Sequence, residues 1–141
     1  MATFTKYLDG RPVVASGGGN AAGYPAVTVI QNTFDASRLP LDAADVVEVL
    51  NVPAGTFVHK VFVEVLNGET GQTLNVGDGT DPDGYVAAAA VATDGVRLMG
   101  GGAYSAGKFY AEADTIDVAV PATMAYDTLR VRVVASVTAI G

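Results

Sequence analysis

The stretch Val46 to Gly84, VVEVLNVPAGTFVHKVFVEVLNGETGQTLNVGDGTDPDG, decides the fold. It holds three runs of alternating apolar residues, separated by two turns that contain glycine and closed by an acidic loop. In the middle run Phe57, His59, Val61, Val63 and Val65 share one face, and Val58, Lys60, Phe62, Glu64 and Leu66 share the other, as a two-residue strand period requires. The first of these faces carries no formal charge and is the expected core face, so His59 is expected to point inward. Pro53-Ala54-Gly55 is short enough to make the flanking strands antiparallel neighbours, and the stretch reads as the central hairpin pair of a β-domain.

Downstream, Tyr85 to Thr93 (YVAAAAVAT) is rich in alanine, and propensity alone makes it a short helix or an irregular crossover. Gly95 to Gly107, with its triple glycine at 100–102, reads as a long loop. Lys108 to Ala111 and Thr115 to Val120 follow as two strands joined at Glu112-Ala113-Asp114. The final run TLRVRVVASVTA places Leu129, Val131, Val133, Ala135 and Val137 on a core face, with Arg130 and Arg132 opposite. Upstream, Asp35 to Asp45 is a loop around Pro40, and Ala26 to Phe34 is a first strand with β-branched residues on both faces. Residues 1–25 hold Phe4, Tyr7 and Leu8, then Gly17-Gly18-Gly19. They read either as a frayed end or as an extended arm whose aromatics and Val13-Val14 dock on a neighbouring subunit. The expected organisation is an N-terminal arm, 1–25, and a β-sandwich domain, 26–141. About seven or eight short strands with two long loops favour an all-β, jelly-roll-like sandwich or barrel over an up-and-down barrel.

Composition narrows the function. One domain of 141 residues buries roughly 68% of its unfolded surface, and it does so without a single cysteine, which removes disulfides and thiolate chemistry together. Apolar runs stop short of the ~20 residues of a membrane span, so a soluble protein made in the cytoplasm is expected. Fifteen acidic residues against eight basic ones repel phosphate backbones, which argues against nucleic acid as a partner. Residues 1–34 are slightly basic, with Lys6 and Arg11 against Asp9, and suit an acidic partner.

The chemistry-bearing motifs are sparse. Asp78, Asp81 and Asp83 form a calcium candidate, since carboxylates ahead of a glycine wrap oxygen-loving cations. The pattern lacks an acidic or amide residue at Gly79 and a bidentate glutamate beyond, so an Asx-and-Gly turn is the competing reading. His59 is the single histidine and cannot build an imidazole cluster by itself, and a core or interface role is the expectation. Four serines with no histidine-acid partner in pattern give no nucleophilic triad, and neither glycine cluster continues into a phosphate-binding loop. No cofactor is expected, and no enzyme.

In their order, DVVEVLNVPAGT, VGDGTDPDGY, GKFYAEADTIDV and the apolar final strand resemble the capsid decoration, or cement, proteins of tailed bacteriophages. The likeness runs from Asp45 to the end, about two-thirds of the chain. The resemblance implies a jelly-roll-like domain, made in the host cytoplasm, that binds the major capsid protein on the outer face of the virion as a homotrimer. For such a role, Phe4, Tyr7 and Arg11 in the arm, which lies outside the likeness, and Arg38 and Tyr104 in the long loops are the expected capsid or subunit contacts. The rival reading is a tail-fibre or receptor-binding domain for host glycans.

Overall fold

The computed structural model describes residues 13–14, 27–121 and 124–140. Ten strand segments carry the architecture: β1 (Val13–Val14), β2 (Thr28–Asp35), β3 (Val46–Val52), β4 (Thr56–Asn67), β5 (Thr73–Gly77), β6 (Val86–Ala90), β7 (Arg97–Met99), β8 (Lys108–Tyr110), β9 (Asp114–Ala119) and β10 (Arg130–Ala139). They pair into two sheets. One runs β1-β3-β9-β5-β6, and the other runs β2-β10-β4, where β4 is followed along its free edge by β7 and then β8. Because β7 pairs with Phe62–Glu64 and β8 with Thr56–Val58, the two short pieces fill one strand position in succession. With that position counted once, β2 to β10 give eight positions in two four-stranded sheets, first strand beside last. This is jelly-roll connectivity, as expected.

The core lies between the sheets. Val58, Val61, Val63 and Val65 of β4 and Val131, Val133, Ala135 and Val137 of β10 meet Val47, Val49 and Val52 of β3, Leu74 and Val76 of β5, and Ile116 and Val118 of β9. Each fully buried valine is worth roughly 1.5–3 kcal/mol relative to exposure. Leu41 bridges Tyr126 outside the strands, so the loop at 35–45 is packed down, with Ala36 and Leu41 buried.

Five expectations are corrected. β3 and β4 are not neighbours, since they lie in different sheets and Pro53–Gly55 is a corner between them. The corner is held from outside, by Gly55 N–H to the Tyr110 carbonyl at 2.7 Å and Ile140 N–H to the Gly55 carbonyl at 2.7 Å, with Gly55 at φ 81°. For the same reason β8 and β9 do not form a hairpin. The alanine-rich piece is a strand: β6 pairs with β5, and the Ala88 N–H reaches Asn75 Oδ1 at 2.7 Å, so ladder bonding overrides helix propensity. Residues 95–107 contain β7 and are not loop throughout. Finally, His59 is exposed. A register shift opposite Ser136/Val137 moves the inward phase of β4 from Val61 to Val58, which turns Phe57 and His59 out, and His59 Nε2 then meets Thr138 Oγ1 at 2.7 Å. Val61, Val63 and Val65 face inward as expected.

Candidate functional site

The acidic loop after β5 begins with Asp78, whose side chain is fully buried. Its Oδ1 accepts from the N–H groups of Thr80 and Asp81, each at 2.9 Å, and from the Tyr104 hydroxyl at 3.4 Å. Its Oδ2 accepts from Lys108 Nζ at 2.7 Å and from the Tyr110 hydroxyl at 2.8 Å. The Tyr110 oxygen lies 2.7 Å from that of Tyr85. Lys108 also donates to the Tyr104 hydroxyl at 2.9 Å and sits over the rings of Tyr104 and Tyr110, 4.2 and 4.7 Å from their centroids. Burial works to raise the Asp78 carboxyl, but Lys108 and the donors around it outweigh burial and hold it below the usual range. Burial likewise works to lower the Lys108 ammonium, and Asp78 wins and raises it. The Tyr85 and Tyr110 hydroxyls are pushed up by burial and stay neutral.

This network closes one end of the sandwich. It ties the β5–β6 loop to β8 and to the segment between β7 and β8, and Gly84 is required there because a Cβ would overlap the Tyr104 ring. Tyr104, an expected contact residue, is therefore turned into the network, with its ring edge on Tyr85 at 5.2 Å between centroids. Both Asp78 oxygens face donors, and the Lys108 ammonium stands where a bound cation would. Asp81 is partly exposed and Asp83 exposed, and a hydrogen bond between the two raises the Asp81 carboxyl. Among the described residues no group of three His, Asp or Glu side chains converges as metal ligands. Arg38 is exposed in the turn after β2. Phe4, Tyr7 and Arg11 lie outside the described residues.

Two further carboxylates escape sequence reasoning. Asp117 of β9 faces Glu48 across the ladder and accepts from Thr115 Oγ1 at 2.6 Å. Burial, then the charges of Glu48, Asp114 and Asp78, push it up to about 7, against the Thr115 bond. Glu69 Oε1 gathers the N–H groups of Asp127, Thr128 and Leu129 and the Thr128 hydroxyl at 2.9–3.1 Å, which fixes the entry to β10. A groove of about 380 Å³ nearby is lined by Asp35, Ser37, Leu66, Asn67, Thr128 and Arg130. Its Ser37 hydroxyl donates to Asp35 Oδ1 at 2.6 Å, and no histidine is near enough to serve as a base.

The outward face of the β2-β10-β4-β7/β8 sheet is of a different kind. Phe57 stands opposite Phe109, and Phe62 lies between Val134 and Met99. Beyond them Glu64 is shared by Arg97 at 3.3 Å and Arg132 at 3.2 Å, and the Arg97 guanidinium lies 4.4 Å from the Phe62 ring centroid. The arrangement is suited to recognition by apolar and cationic contact.

No protein-family model matches the chain, and no curated protein matches it. Solved structures do. A chain of the capsid of Ralstonia phage GP4 is 21% identical with a TM-score of 0.60, over 82% of this chain and 85% of that one. A chain of the acidic stable capsid structure of Helicobacter pylori bacteriophage KHP30 is 13% identical with a TM-score of 0.59, over 79% and 86%. A chain of the capsid asymmetric unit of cyanophage Pam1 is 21% identical with a TM-score of 0.56, over 90% and 92%. At these identities what is shared is the fold.

Proposed function

We propose that the chain is a structural protein of a bacteriophage virion, a decoration protein that binds the outer capsid surface as a homotrimer and reinforces the shell. The observation that carries this reading is the near end-to-end match of one jelly roll to chains of three phage capsid structures, each covering at least 79% of this chain. The chemistry supports it. The Asp78 and Glu69 side chains are engaged in fixing loops, and the exposed features are sheet faces and charged turns. Such a protein works by mass action, because contacts made only in the assembled shell stabilise it relative to separated capsomers. Linking three copies raises the effective concentration of the second and third contacts.

The test is co-sedimentation of purified chain with shells of its own phage that lack it, beside intact host cells. Saturable binding to shells supports the reading. Binding to cells and not to shells contradicts it and favours a receptor-binding domain.

A further inference from the structure

All five exposed large hydrophobic residues among those described, Val27, Val29, Met99, Phe109 and Ile140, lie on or just beyond strands of the β2-β10-β4-β7/β8 sheet, each 48–64% exposed. The same outward face carries Lys60, Arg97, Arg130 and Arg132 against Glu64 and Asp35, an excess of positive charge in a chain of net charge −7. Exposed apolar surface gathered on one face marks an interaction site.

The opposite sign is concentrated elsewhere on the molecule. Gly77 pairs with Asp117, so the loop after β5 and the turn before β9 lie side by side, bringing Asp81, Asp83, Glu112 and Asp114 to one end of the other sheet. Lys108, the cation bonded at that end, is taken by Asp78.

We propose that the cationic, apolar face of one chain docks on the acidic end of a second copy. Four strand positions at about 4.8 Å and the length of β10 at about 3.3 Å per residue give a face on the order of 600 Å², comparable to the ~800 Å² per partner of a stable interface. The two surfaces differ, so the contact is heterologous, and a three-fold rotation between copies closes it into a ring in which every such surface is used. This deepens the homotrimer reading and rests on it for the number of copies.

The test is the mass of the full chain in solution by sedimentation equilibrium at low and high salt. The wild type is expected to be a closed oligomer that salt weakens. Arg97→Glu with Arg130→Glu, and separately Asp83→Lys with Glu112→Lys, are each expected to weaken association on the order of 100-fold. Combining all four restores it, because the charges are exchanged and not removed. Circular dichroism establishes that each variant folds, and Phe109→Ser, at a half-exposed site, tests the face independently by weakening association about tenfold. A monomeric wild type, unchanged mass in either double variant, or failure of the folded quadruple variant to reassociate overturns the proposal. A monomer that binds shells through this face, with binding lost in Arg97→Glu/Arg130→Glu, assigns the face to the shell and also overturns it, while leaving the decoration reading intact. Loss of shell binding by a normal oligomer would do the reverse.

Discussion

Asp78 accepts five hydrogen bonds with a side chain that water does not reach, and one of its donors is an ammonium. Removing its charge leaves Lys108 unpaired, and Asp78→Asn is expected to cost about 3 kcal/mol at neutral pH by urea denaturation. The native carboxyl is depressed, so its contribution is present above its unfolded value of about 3.9 and is lost as pH falls through the native one. The deficit of the variant should shrink in acid. Asp117 behaves oppositely. Its native value is raised to about 7, so the stability it contributes is full below about pH 4 and is lost as pH rises to about 7. Asp117→Asn should match the wild type near pH 4 and exceed it at pH 8 by about 2 kcal/mol, a gain that equal midpoints at pH 8 would refute. The sequence displays both carboxylates in plain view. It does not display their partners, because Lys108 lies 30 residues from Asp78 and Glu48 lies 69 from Asp117, across ladders that local pattern does not specify.

At the scale of elements, period-two alternation locates β2, β3, β4, β9 and β10 within a few residues, because each has one face against the core. It does not say which sheet receives a strand. Pro53–Gly55 could close a hairpin or turn a corner, and the choice is made by Tyr110 and Ile140, far along the chain. Nor does alternation reveal the slip that takes His59 outward, since one extra residue inverts the phase without changing composition. β6 is illegible for another reason: alanine prefers helix in isolation, and only β5 supplies its hydrogen bonds. The entry to β10 depends on Glu69, whose single oxygen replaces a missing strand partner for three backbone N–H groups. Glu69→Ala is expected to cost about 2 kcal/mol and to speed amide exchange at Asp127–Leu129 before the rest of β10. Uniform exchange across β10 would show that the clamp is not holding that segment.

For the whole molecule, the jelly roll joins two sheets of unlike exterior, one apolar and cationic, the other acidic at one end. The all-β class was legible because every long run alternates. The resemblance to phage decoration proteins agrees with the fold shared with three phage capsid chains, and the finer role on the outer surface remains our proposal. The contact residues were less legible. Tyr104 belongs to the buried network, while Phe57, Phe109 and Met99 gather on one face only once β4, β7 and β8 are side by side. The most direct measurement is the temperature at which shells lacking the chain disrupt, followed by light scattering as purified chain is added. A reinforcing protein raises that temperature and saturates at a fixed ratio of chain to shell protein. No change at saturating chain, or a change without a fixed ratio, would contradict a role in stabilising the capsid.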